Sequence, residues 1–139
     1  MNSIEANIRD NSTKGQLNAI RNSGNVPAII YGGKDVNQKI SISKKLLKTF
    51  IEKENFFSSI VALNVNGSNQ SVLPREIKYH ILTDEPIHVD FLRVLPGVKI
   101  KIEIPVNFIN HEKSPGLKKG GVLNIVRRKV ELKCPSEKI

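Results

Sequence analysis

The chain has 139 residues, 39% hydrophobic and 25% charged, a balance typical of soluble globular proteins and too apolar for wholesale disorder. Trp is absent and the aromatics are five Phe and two Tyr, so any core rests on Ile, Leu and Val. A formal net charge of +9 makes a polyanion the first partner to consider, because each phosphate neutralised by Lys or Arg releases condensed counterions. The excess is uneven: residues 1–95 carry a net +3 and residues 96–139 a net +6. If the first part binds RNA, it must therefore do so with a local patch.

Residues 4–9 (IEANIR) alternate apolar and polar, the pattern of a half-buried strand. Thr13 is placed to cap a helix running to about Asn22, and Gly24 to stop it. On that helix Lys14, Asn18 and Arg21 follow i, i+4, i+7 spacing and share one polar face. Val26-Pro27 ends helical structure, and Ala28–Tyr31 reads as a buried strand. After the turn Gly32–Asp35, residues 38–42 return as another strand. Ser43 is a suitable N-cap for a helix over about 44–55, with Leu46, Leu47, Phe50 and Ile51 at helical spacing.

Residues 60–65 and 70–74 flank Asn66-Gly67, a strong hairpin signal because a type I′ turn needs positive φ at both positions. Two more strands are expected at 77–82 and 87–94, around a turn at Thr83–Pro86. Leu95-Pro96-Gly97 marks a boundary, and the alternating KIKIEIPVNF that follows is a strand. Ser114–Gly116 and Gly120-Gly121 are turns, and Val122–Cys134 supplies one or two further strands. Some 44 residues of β pattern bury little surface alone, so the second unit is expected to be incomplete or to dock on the first.

Several functions are disfavoured. A single cysteine, Cys134, allows no internal disulfide and fits a reducing compartment. Met1–Asp10 has no apolar signal-peptide core, and no apolar run approaches the ~20 residues of a membrane span. The expectation is a cytoplasmic protein without membrane contact. Three histidines (His80, His88, His111) and one cysteine lack metal-site spacing. Ser114–Gly121 lacks the Lys-Ser/Thr end of a phosphate-binding loop. With no nucleophile motif either, neither an enzyme, a cofactor nor a small-molecule substrate is indicated.

Three stretches carry a resemblance. They are Lys14-Gly15 with Arg21 and VPAIIYGGK (Val26–Lys34); HVDF (His88–Phe91); and IPVNF, SPGLKKGGVL and VELKCP in order towards the C-terminus. Together they span nearly the whole chain, and it resembles the 5S-rRNA-binding large-subunit ribosomal protein twenty-five family, in the long form related to the general stress protein Ctc. VPAIIYGGK combined with HVDF is specific; SPGLKKGG alone is not. The resemblance implies a mainly β fold, a β-barrel with a few short helices over residues 1–95, followed by the start of a second β domain over 96–139. It implies a constituent of the large ribosomal subunit that grips the internal-loop region of 5S rRNA from its minor-groove side. The stress-protein relatives suggest the alternative, an RNA- or protein-interaction factor acting off the ribosome.

Carried onto this chain, the resemblance makes Lys14 and Arg21 phosphate contacts, with Arg9 a further basic candidate. Read without it, they form an ordinary solvated face. It departs from the family at Leu17 and Asn18, where a hydroxyl and an arginine are common; Asn18 then offers a hydrogen bond in place of a charge. Tyr31 would meet the RNA surface, its alternative being a core tyrosine with its hydroxyl at the rim. His88 and Asp90, at i and i+2 on a strand, project from one face and would read base or ribose groups, His donating and Asp accepting. Arg75, where the family often has an amide, is a possible added contact. Lys118-Lys119 and Arg127–Lys129 are either solvated runs or sites for rRNA or a neighbouring ribosomal protein.

Overall fold

Alternating strands that each hide one face must close on one another, and here they close completely. The computed structural model describes residues 2–10, 13–53 and 55–139. Its strands are β1 (Asn2–Ile8), β2 (Asn25–Tyr31), β3 (Gln38–Ser43), β4 (Val61–Val65), β5 (Ser68–Tyr79), β6 (Pro86–Arg93), β7 (Lys99–Pro105) and β8 (Lys129–Pro135). The helices are α1 (Lys14–Asn22), α2 (Lys44–Ile51) and α3 (Pro115–Lys118). The first six strands form a closed barrel in the order β1-β3-β2-β6-β5-β4, and β7 and β8 form a separate two-stranded sheet. Closure comes from a parallel pairing of β1 with β4, and β2 lies parallel to β6. The mainly β fold expected from sequence is what the structure shows. No helix among the described residues is long and apolar enough to cross a membrane.

The barrel interior is aliphatic. Ile4, Val26, Ala28, Ile30, Ile40, Ile42, Val61, Leu63, Val72, Val89 and Phe91 are buried there, joined by Leu47 from α2 and Phe56 from the turn after it. Each strand contributes every second residue, so the intervening side chains line the outer surface.

Local chemistry explains the element ends. Thr13 caps α1 in a reciprocal capping box: Gln16 N–H donates to Thr13 Oγ1 at 3.4 Å, and Thr13 N–H donates to Gln16 Oε1 at 3.2 Å. Asn66 (φ 48°) and Gly67 (φ 88°) give the hairpin turn its two left-handed residues.

Four expectations need correction. The helix begun after Ser43 ends at Ile51, and residue 54 of its expected span lies outside the described residues; Ser43 makes no side-chain cap because it still belongs to β3. The strands expected at 70–74 and 77–82 are one strand, β5, with a bulge between Pro74 and Glu76. Pro74 is tolerated because β4 pairs only as far as Val72, so the missing N–H breaks no rung on that side. Residues 80–82 are a turn rather than strand: His80 N–H donates to Glu85 O at 2.8 Å, and Asp84 is left-handed at φ 54°. At the C-terminal end the strand from Lys99 stops at Pro105, and its partner begins at Lys129 rather than Val122.

The β7–β8 sheet docks on the barrel. Ile100 and Ile102 pack with Leu73 of β5, and Leu92, Val94, Ile104 and Cys134 gather around them. Arg75 Nη1 donates to Lys101 O, and Ser136 Oγ donates to Leu95 O.

Phe91 is fully buried. Phe91→Ala should lower the unfolding free energy by about 3–5 kcal/mol in urea melts; a loss below about 1 kcal/mol would contradict its central place.

Candidate nucleic-acid interface

Strand β6 organises the outer surface. Val89 and Phe91 point into the barrel, so His88, Asp90 and Leu92 point out. The ladder registers extend three rungs across neighbouring strands. Asp90 lies between Ile29 of β2 and Glu76 of β5, with Lys39 of β3 next to Ile29. His88 lies beside Lys78 of β5, and Leu92 lies between Tyr31 of β2 and Leu73 of β5. The docked sheet covers the Leu73–Leu92 end, so the open area is the part around His88 and Asp90.

Helix α1 borders this area. Arg21 Nε donates to the carbonyl of Ile87 at 3.1 Å, fastening the helix to the start of β6. Arg21 Nη1 also donates to Asn18 Oδ1 at 3.3 Å, which occupies the amide oxygen and leaves the Asn18 NH2 for a partner. Arg9, just past the end of β1, is buried and its Nε donates to Ile40 O at 2.9 Å. Burial, and then the charge of Arg21, lower the Arg9 pKa.

His88 Nδ1 is 3.0 Å from Asp90 Oδ1. Burial lowers the His88 pKa most; Asp90 opposes this, while Lys78, Arg9 and Arg21 reinforce it. A neutral ring beside a carboxylate places its one N–H at Nδ1, donating to Asp90. Nε2 then carries the lone pair. The pairing gives His88 an acceptor to present, in place of the donor expected from the resemblance, and Asp90 is the group that fixes it.

The sequence-derived residues thus fall into three sets. Arg9, Asn18, Arg21, His88 and Asp90 are linked by hydrogen bonds or by their fields, and Tyr31 shares their outer face. Lys14 is exposed one helical turn before Asn18. Arg75 is drawn away to the carbonyl of Lys101. Lys39 and Lys78 were not singled out in the sequence, although their alternation with Ile40 and Ile77 marks them as outward-facing; only the ladder registers show that Lys78 lies beside His88 and that Lys39 shares the rung of Asp90, beyond Ile29. Glu76 beside Asp90 makes the middle rung acidic, so anionic groups are favoured towards Arg9, Arg21, Lys39 and Lys78.

Residues 4–91 match the Ribosomal L25p family, and residues 99–139 match the C-terminal domain of ribosomal protein TL5. The chain is 63% identical over 139 residues to large ribosomal subunit protein bL25 of Pelagibacter ubique, covering 100% of this chain and 61% of that protein. It is 43% identical over 136 residues to bL25 of Erythrobacter litoralis (98% of this chain, 59% of the relative). Against bL25 of Novosphingobium aromaticivorans it is 44% identical over 136 residues (98% and 67%). The chain spans about three fifths of the length of the first two relatives. With the barrel matched almost from end to end, and the docked sheet matched after it, this chain belongs to the Ribosomal L25p family.

Proposed function

We propose that this protein is a structural constituent of the large ribosomal subunit, in the cytoplasm, and that it binds 5S rRNA at its internal-loop region. Residues 1–95 act as the RNA-binding unit and 96–139 as a second, docked unit. The observation that carries this reading is the His88–Asp90 pair, set on an outer barrel face and bordered by Arg9, Arg21 and Lys78. Similarity to large ribosomal subunit proteins bL25 supports the ribosomal assignment.

A-form RNA suits such a face. Its minor groove is wide and shallow, exposing 2′-hydroxyls and base edges to a gently curved sheet. The arginines and lysines at the margin meet phosphates and set register, while the His88–Asp90 pair reads groups in the groove. Neutral His88 accepts at Nε2, so its partner is a donor: a ribose 2′-hydroxyl or a guanine amino group. Asn18 offers its NH2, and Tyr31 its ring and hydroxyl. Arg75 stands outside this set because its guanidinium lies against β7 of the docked sheet, donating to Lys101 O.

Lys14→Ala and Arg21→Ala should each weaken binding to isolated 5S rRNA and reduce the slope of log K against log salt by about one unit. Unchanged slopes in both variants would remove the phosphate assignment. His88→Ala should weaken binding to the internal-loop RNA more than to a plain duplex; equal losses would count against reading.

Acid sensitivity supplies another test. The His88 pKa is depressed in the fold, so the unfolded chain takes up the proton first as pH falls. The contribution of neutral His88 is complete above the ordinary histidine value of about 6.5 and is lost as pH falls below it. His88→Gln should therefore flatten the decline in stability between about pH 7 and pH 5, measured by urea melts at each pH. A curve parallel to that of the parent would rule this out.

A further inference from the structure

The turn that follows Tyr31 is held by a side chain from another strand. Residues 33–37 are exposed, Val36 to 88%, so little apolar burial holds them. Among the described residues, no backbone–backbone hydrogen bond involves 32–37. The turn is bound instead to Arg93, the last residue of β6. Arg93 Nη1 donates to Gly32 O at 2.9 Å and Asp35 O at 3.1 Å, and Nη2 donates to Val36 O at 2.7 Å.

The residue before Arg93 fixes the same point from another direction. Gly32 has φ 88°, and a Cβ there would come within 2.6 Å of Leu92 Cδ1. Leu92 and Arg93 thus determine both the Cα approach and the carbonyl direction of the residue next to Tyr31. A planar guanidinium with five fixed donors can span three carbonyls, which a single ammonium cannot do as rigidly.

We propose that Arg93 is a positioning residue for RNA binding: it holds the Gly32–Val36 turn, and with it the end of β2 that carries Tyr31, in the RNA-competent arrangement before RNA arrives. This rests on the reading of the barrel face as an RNA-binding surface. Arg93 touches no phosphate in this account. Its effect comes from ordering the turn in advance, so that the ordering cost is not met on binding.

The test compares the parent protein with Arg93→Gln and Arg93→Lys for binding to isolated 5S rRNA at 25 °C over a salt series. Backbone amide order parameters of residues 32–37 are measured by nuclear spin relaxation with and without RNA. Arg93→Gln should bind about tenfold more weakly, the scale expected when a preorganised segment must be ordered on binding, with an unchanged salt slope. Backbone order parameters at 32–37 should be lower than in the parent when free and equal to it when bound. Arg93→Lys keeps the charge but not the fork, and should fall between the two; it also serves if the Gln variant folds poorly.

Parent-like affinity in folded Arg93→Lys and Arg93→Gln would overturn the proposal. So would a salt slope reduced by one, which would make Arg93 a phosphate contact. If the parent itself fails to bind 5S rRNA, the underlying functional reading fails, an outcome separate from either of these.

Discussion

The register of β6 is the constraint on which the rest depends. Its alternation sends Val89 and Phe91 into the barrel and His88 and Asp90 out of it, and pairing with β2 and β5 locks this assignment from both sides. A slip of one residue would bury the hydrogen-bonded His88–Asp90 pair and expose Phe91, so the hydrophobic core and the candidate interface specify the same register. Barrel closure extends the constraint: with β1 paired to β4, none of the six strands is free to shift alone.

Electrostatics then acts locally. The first 95 residues carry a modest excess of positive charge, but the fold concentrates part of it. Arg21 reaches β6 from a helix 66 positions earlier in the chain, and Arg9 lies beside it with its Nε on the Ile40 carbonyl. Both arginines spend donors on backbone carbonyls, which fixes where their charge sits. The neutral form of His88 is a consequence of that arrangement: burial and three nearby cations outweigh its carboxylate neighbour. A neutral, tautomerically fixed imidazole is suited to reading hydrogen-bond donors, while the surrounding cations attract phosphates.

Much of this was legible in the sequence because it depends on short-range chemistry. Thr13 specifies a capped helix start, Asn66-Gly67 a hairpin, and the i, i+2 spacing of His88 and Asp90 a shared face. What escaped reading depends on partners distant in the chain. The continuity of β5 through Pro74 is permitted only because β4 ends its pairing at Val72. The stretch from Val122 has β-compatible residues, yet only Lys129–Pro135 pairs with β7. Arg93 looks like an ordinary strand-end charge until the 32–36 turn folds onto it, and Lys39 and Lys78 become part of the interface only through the ladders.

The central claim is that RNA meets one face, formed by the outward residues of β2, β6 and β5 with α1 at its edge. Backbone amide shift mapping of the labelled protein, titrated with isolated 5S rRNA at moderate salt, tests it most directly. The account predicts the largest shifts at Asn18, Arg21, Tyr31, His88 and Asp90, with the outer face of β4 and the segment between β7 and β8 little changed. Shifts concentrated in residues 106–128, with His88 and Asp90 unmoved, would contradict it.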